Sequence, residues 1–351
     1  MKLGFVVVGC GRMGKRRAKA VTKNHNSELL CVVDNDLTQA RSLAEELNCQ
    51  FYTHLDEAIK RDDVDAVVVS VPNKYHLEAS LKSLKLGKHV FCEKPLAITP
   101  KEAKLMVETA LNEGVFLKAG SNVRFFHNIL KAKELVDDRT IGKLLFARGW
   151  IGHEGWNLKQ DSWFIDPQLI GRGTMLDNGC HLIDIIRWFM AEIKECFGCC
   201  STLLHKLPND IEDNSMGILI GLNGELAMIQ SSWTDWNGYF YLEFYGENGA
   251  LYIDNRGNEA KTIIKTKNNE LRVFDYSKEP KISFQMEIDD FISSILAGKH
   301  PLPSGYDGMR VIQIINGIYE SSSQGQKICV YGAEEQTLEK RLMEKYGQSF
   351  Q

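Results

Sequence analysis

Directly after the apolar run Gly4 to Val8 comes Gly9-Cys10-Gly11-Arg12-Met13-Gly14, a G-x-G-x-x-G loop that opens a helical pattern. A glycine loop between a strand and a helix narrows the fold sharply. The first glycine permits a tight turn, the second lets backbone approach a pyrophosphate, and the third allows close packing of helix on strand. The anion then sits at the helix N-terminus. Asp34 ends the next strand-like run, twenty residues after Gly14, at the spacing of an acid that binds ribose hydroxyls. A 2′-phosphate placed there would meet a carboxylate, and Asp36 adds a second negative charge while Asn35 brings no positive one. NAD is therefore expected in preference to NADP, with Gly9, Gly11, Arg12, Met13, Gly14 and Asp34 as cofactor-binding residues.

The first 120 or so residues alternate short apolar runs with helical patterns, as parallel α/β sheets do. Strands are expected at Gly4 to Val8, Leu29 to Val33, Ala66 to Val71, Lys88 to Phe91 and Val115 to Ala119. Leu37 to Leu47, Leu77 to Leu86 and Lys101 to Glu113 carry apolar residues at helical spacing. After about Val123 strand follows strand with little helix between, most clearly in Ser215 to Leu222 and Glu225 to Trp233 around the turn pair Asn223-Gly224. Further strands are expected at Leu144 to Gly152, Cys196 to Leu203, Tyr239 to Tyr245, Leu251 to Asp254 and Lys261 to Lys267. The fold class is α/β: an N-terminal doubly wound Rossmann sheet over 1–122, then an α+β domain over 123–351 on a mainly antiparallel sheet. Helices over Thr174 to Met190, Phe284 to Ala297 and Asp307 to Ser323 are expected to cover that sheet.

Composition sets the class. Of 351 residues, 44% are apolar and 25% charged, the profile of a soluble globular protein with room for two cores. No run approaches the roughly 18 consecutive apolar residues of a spanning helix, and a net charge of −4 leaves no nucleic-acid footprint. The basic trio Lys15-Arg16-Arg17 reads as phosphate proximity or plain solvation. No export signal precedes the first strand, and nine scattered cysteines suit reduced thiols in the cytoplasm. The cluster Cys196, Cys199 and Cys200 lacks a second ligand pair at zinc spacing, so no metal is expected.

Two further segments carry chemistry. Glu93-Lys94-Pro95 closes the strand-like run His89 to Cys92, which puts Lys94 beyond the strand ends, where such sheets bind ligands. On the helix after the loop Gly171-Arg172-Gly173, Asp177, His181 and Asp184 fall at i, i+4 and i+7 on one face. That stripe suits an acid and an imidazole that tune one another; it equally suits a polar surface stripe or a satisfied core histidine.

In this order, the glycine loop, Glu93-Lys94-Pro95 and Asp177-x-x-x-His181 resemble the Gfo/Idh/MocA oxidoreductase family over nearly the whole chain. Smaller matches accompany them: Val71-Pro72-Asn73 with His76, Asn122-Val123-Arg124-Phe125, and Gly246-x-x-Gly249. The resemblance implies a dehydrogenase acting on a secondary hydroxyl of a sugar, polyol or nucleotide sugar. Its catalytic residues would be Lys94, Asp177 and His181, the first from the cofactor domain and the others from the second domain. Pro72, Asn73, His76, Glu93 and Lys94 would join the cofactor site, with Glu93 and Pro95 shaping the turn that aims Lys94. A homo-oligomer, dimer or tetramer, is also implied. So is an NAD-dependent glycoside hydrolase using transient oxidation. A third class, a non-catalytic NAD-binding sensor, would have no use for Lys94 or His181.

Arg172 departs from the glycine frequent in the family at that position. It faces either an anionic group of the substrate or solvent. Arg124, Trp156 and Trp163 are candidate substrate-binding residues, with His153, Glu154 and Asn157 in the same polar and aromatic run; the remaining tryptophans read as core or interface groups.

Overall fold

The computed structural model describes residues 2–347 apart from 157, 159–161, 191 and 209–210. The chain forms two compact units. The first opens with β1 (Leu3–Val8), α1 (Arg12–Lys23), β2 (Ser27–Val33), α2 (Leu37–Leu47), β3 (Gln50–Tyr52), α3 (Leu55–Ile59) and β4 (Ala66–Val69). It continues with α4 (His76–Leu84), β5 (His89–Cys92), α5 (Pro100–Glu113) and β6 (Leu117–Ala119). All six strands are parallel, in the order β3-β2-β1-β4-β5-β6. Strands buried on both faces read as continuous apolar runs, and Ala66 to Val69 are all fully buried. The order reverses between β1 and β4, which is where doubly wound sheets open a crevice at their carboxyl ends.

The second unit contains α6 (His127–Asp137), β7 (Leu144–Gly152), α7 (Pro167–Ile170), a π-helical turn Met175–Gly179, α8 (Cys180–Phe189) and β8 (Ile193–Ser201). β9 (Asn214–Gly221), β10 (Leu226–Ser232), β11 (Tyr239–Gly246), β12 (Gly249–Asp254), β13 (Lys261–Thr266) and β14 (Leu271–Asp275) follow. The chain ends with α9 (Ser283–Ala297), α10 (Gly305–Gln324), β15 (Ile328–Cys329) and α11 (Ala333–Tyr346). The second sheet has the order β14-β13-β12-β11-β7-β10-β9-β8-β15. Every neighbour pair in it is antiparallel except β10 and β7. One face is covered by α8, whose Phe189 stacks on Phe244 of β11 at 4.7 Å, and by the later part of α10. There Ile318 fills the space above Gly198 and Gly217, where a Cβ would come within 2.5 Å and 3.1 Å of it.

One expected cover helix goes elsewhere. The pattern over Phe284 to Ala297 pointed to the antiparallel sheet, yet α9 belongs to the first unit with the rest of Ile282–Ile312 and the segment from Glu339. Phe291 meets Phe5 edge-on at 6.2 Å and Phe91 at 5.9 Å, and Ile288 and Ile292 join the same core. A division into 1–122 and 123–351 thus gives way to a discontinuous first unit. Helical periodicity says that a face must be buried, not against which sheet.

Candidate active site

The loops after β1, β2, β4 and β5 lie at the carboxyl edge of the parallel sheet and carry the expected cofactor residues of the first unit. Gly9 has φ +93°, and a Cβ on it would lie 2.3 Å from the Ser70 carbonyl oxygen; one on Gly14 would lie 1.6 Å from that of Gly9. Neither position tolerates a side chain. Gly11 is the opposite case: it is exposed, and a Cβ there would meet nothing within 4 Å. The loop is packed on its protein side and open where a pyrophosphate would approach. Asp34 closes it from β2, accepting from the Cys10 amide at 2.7 Å with one oxygen and from the Asp36 amide at 2.9 Å with the other. Arg12 is exposed and Met13 half-buried. These residues fit a dinucleotide whose ribose reaches Asp34.

After β4, Pro72 is half-buried, and Asn73 is buried at the start of a short 3₁₀ turn. His76 has both ring nitrogens on backbone carbonyls, Nδ1 on Pro95 at 2.8 Å and Nε2 on Val71 at 2.9 Å. It holds the first unit's own backbone rather than presenting a nitrogen to a cofactor. Glu93 likewise turns inward, accepting from Arg17 Nε at 2.5 Å. Arg17 is fully buried and its Nη2 lies 2.6 Å from Glu287 on α9, so it is neither a phosphate contact nor a solvated residue of a basic trio. Its guanidinium also rests 4.4 Å from the Phe91 ring centre, and its partners hold its pKa high against the opposing effect of burial. Beside this network Lys94 is half-buried.

In the second unit Asp177 and His181 lie on one helical run, Asp177 on the π-helical turn and His181 on α8, 7% and 9% exposed. Of Cys180–Phe189 all but Trp188 are buried, which removes the surface-stripe reading. Asp184 is engaged: Arg124 Nε and Nη2 reach its two oxygens at 2.8 Å and 2.6 Å in a buried, bidentate pair. The Arg124 fork thus faces α8, rather than serving simply as a substrate contact. Sequence reasoning missed Glu212. Its buried carboxylate accepts from the amides of Gly173 (2.9 Å) and Met175 (2.8 Å), and from the hydroxyls of Tyr319 (2.9 Å) and Ser215 (3.2 Å). Burial pushes this carboxyl's pKa up while those donors pull it back. The glycine-rich loop is thereby pinned ahead of Asp177, whose amide bonds the Gly173 carbonyl at 3.1 Å.

Arg172 is exposed, with its guanidinium 5.2 Å from the Tyr319 ring centre. Trp163 is half-buried and packs with Phe164 against the cluster of Ile170, Ile211 and Trp233. Trp156 is 47% exposed and 5.5 Å from the His153 ring; Glu154 is exposed, and Asn157 lies outside the described residues. β8 alternates its cysteines, turning Cys196 and Cys200 inward and Cys199 outward, which separates that cluster.

The model of an oxidoreductase family with an NAD-binding Rossmann fold matches residues 3–121, and that of the Gfo/Idh/MocA C-terminal domain matches residues 129–252. The chain belongs to the Gfo/Idh/MocA family. A 2,7-anhydro-N-acetylneuraminate hydratase of Mediterraneibacter gnavus is 32% identical over 193 residues, 55% of this chain and 50% of the relative; the chain thus matches only half of that protein's length. The myo-inositol 2-dehydrogenase of Thermotoga maritima is 29% identical over 322 residues, 88% of this chain and 92% of the relative. A levoglucosan dehydrogenase in complex with NADH has the same fold, with a TM-score of 0.87 at 22% identity over 94% of this chain and 100% of that one. The first unit carries the NAD-binding Rossmann fold of that oxidoreductase family.

Proposed function

We propose that the protein is an NAD-dependent dehydrogenase that oxidises a secondary hydroxyl of a sugar, polyol or nucleotide sugar, or reduces the corresponding ketone. Bound NAD supplies the hydride acceptor. An alcohol is far too weak an acid to lose its proton unaided at neutral pH, so a base and a nearby cation are needed. His181 supplies the imidazole base that takes the hydroxyl proton. Lys94 hydrogen-bonds the same oxygen and stabilises the developing alkoxide. Asp177 orients the imidazole or the substrate, and Arg172, Trp156 and Trp163 are assigned to substrate recognition. The observation that carries the reading is the buried carboxylate and imidazole of Asp177 and His181 on one helical run, in a chain whose other unit bears Lys94 at the end of β5. Burying polar groups has a cost that packing alone does not repay.

The test is a screen of free sugars, inositols, uridine-diphosphate sugars and sugar acids with NAD and NADP, read as NADH absorbance. Lys94→Ala and His181→Ala are expected to lose at least about a hundredfold in kcat; near-wild-type turnover by Lys94→Ala removes the mechanism. The hydratase relatives, at 32% and 29% identity, favour a second reading in which turnover leaves NAD unchanged overall. Product formed without NADH accumulation would select it.

The assignment to the cytoplasm rests on nine free thiols; no helix among the described residues is long and apolar enough to cross a membrane. The assignment of a homo-oligomer, dimer or tetramer, rests on the exposed Met216, Ile218, Leu226 and Met228 on neighbouring strands β9 and β10. Light scattering tests it, and a monomer at micromolar concentration rejects it.

A further inference from the structure

His76 is 1% exposed, and its two ring nitrogens reach two carbonyls that belong to different loops: Val71, just beyond β4, and Pro95, the residue after Lys94. A neutral imidazole donates through one nitrogen and the imidazolium through both. Burial pushes the ring's pKa down, while the two carbonyls and the nearby Glu93 carboxylate pull it up. In either state the ring is wedged between the loops, and the Cys92 thiol reaching the Leu96 carbonyl at 3.7 Å is the neighbouring tie across the Lys94 turn. Removing a buried tie of this kind lets the turn it holds open locally more often.

We propose that His76 is a positioning residue that fixes Lys94, by bracing the Pro95 carbonyl against the Val71 carbonyl at the end of the adjacent strand. The inference deepens the catalytic reading of Lys94 above, and it stands on geometry within the first unit alone. An asparagine or glutamine amide presents its donors from one nitrogen and cannot span the two carbonyls as the ring does.

Lys94 can be followed without knowing the substrate, by amine acetylation with an N-hydroxysuccinimide ester and peptide mass spectrometry. In His76→Asn and His76→Gln the Lys94 rate is expected to rise about three- to tenfold, while the exposed Lys74 and Lys85 keep their wild-type rates. Rates at Lys94 within twofold of wild type in both variants overturn the proposal, as does an equal rise at all three lysines, which reports global loosening. With a substrate from the screen, His76→Asn is expected to lower kcat about tenfold at nearly constant NAD KM, and to cost less than about twofold in a Lys94→Ala background. Additive losses reject action through Lys94. If Lys94→Ala itself loses no turnover while the acetylation result holds, the catalytic reading fails and the positioning stands.

Discussion

Arg17 of α1 reaches Glu93 of the Lys94 turn with its Nε at 2.5 Å and Glu287 of α9 with its Nη2 at 2.6 Å. One buried cation therefore ties the Lys94 segment to a helix 194 positions further along the chain. Removing one partner of a buried ion pair leaves the others' charge uncompensated, which costs about 3 to 5 kcal/mol. Arg17→Met is expected to lower the urea unfolding free energy by about that amount; a loss below about 1 kcal/mol would show that the guanidinium does not carry the network.

Glu212 makes a parallel prediction in the second unit. Glu212→Gln turns an amide N–H₂ towards donors and leaves at least one buried N–H or O–H without an acceptor, at about 1 to 3 kcal/mol. The loop ahead of Asp177 loosens with it. A fall of about tenfold or more in kcat is expected, with the NADH dissociation constant unchanged when followed by fluorescence. A variant that weakens NADH binding as much as turnover would place the effect outside the Asp177 segment.

The cofactor preference turns on Asp34. Asp34→Ser removes the carboxylate that opposes a 2′-phosphate, so the ratio of kcat/KM for NADP to that for NAD is expected to rise at least about tenfold. A wild-type enzyme that reduces NADP as well as NAD would defeat the argument before any variant is made.

His300 sets a pH window. It is 9% exposed, lies edge-on to Phe116 at 5.4 Å and to Tyr346 at 4.7 Å, and burial lowers its pKa to about 4. The unfolded ring, with a pKa of about 6.5, binds a proton first as pH falls, so stability is complete above that value and is lost progressively between about 6.5 and 4. The full loss is about 3 kcal/mol. Urea midpoints at pH 7 and pH 4.5 are expected to differ less in His300→Phe than in wild type, and identical shifts would assign the acid sensitivity to other groups.

Much of this architecture was legible because its signals are local. The glycine loop, Asp34 and the alternation of strand and helix all act within about 30 residues, and Asp177 and His181 announce themselves by spacing along one helix. What escaped was set by distance or exposure. β3 is three residues long with no fully buried side chain, and β14 alternates exposed and half-buried positions, so neither leaves an apolar run. Arg17 sits in a basic trio that looks solvated until α9 arrives. Glu212 belongs to no motif at all; its donors come from 3 to 107 residues away, and only the folded chain brings them to one carboxylate. His76 was visible as part of a pattern, but which atoms it holds was not.

The discontinuity of the first unit also bears on how the molecule is made. A ribosome delivers the parallel sheet early, complete in its strands but without Phe291, Ile288 and Ile292 to close one side of its core, and without Glu287 to share Arg17 with Glu93. The nascent sheet must wait while β7 to β14 of the antiparallel sheet are synthesised before α9 leaves the exit tunnel. For that interval an apolar surface stands open, so the period of greatest exposure to chaperones and to aggregation falls in the middle of translation.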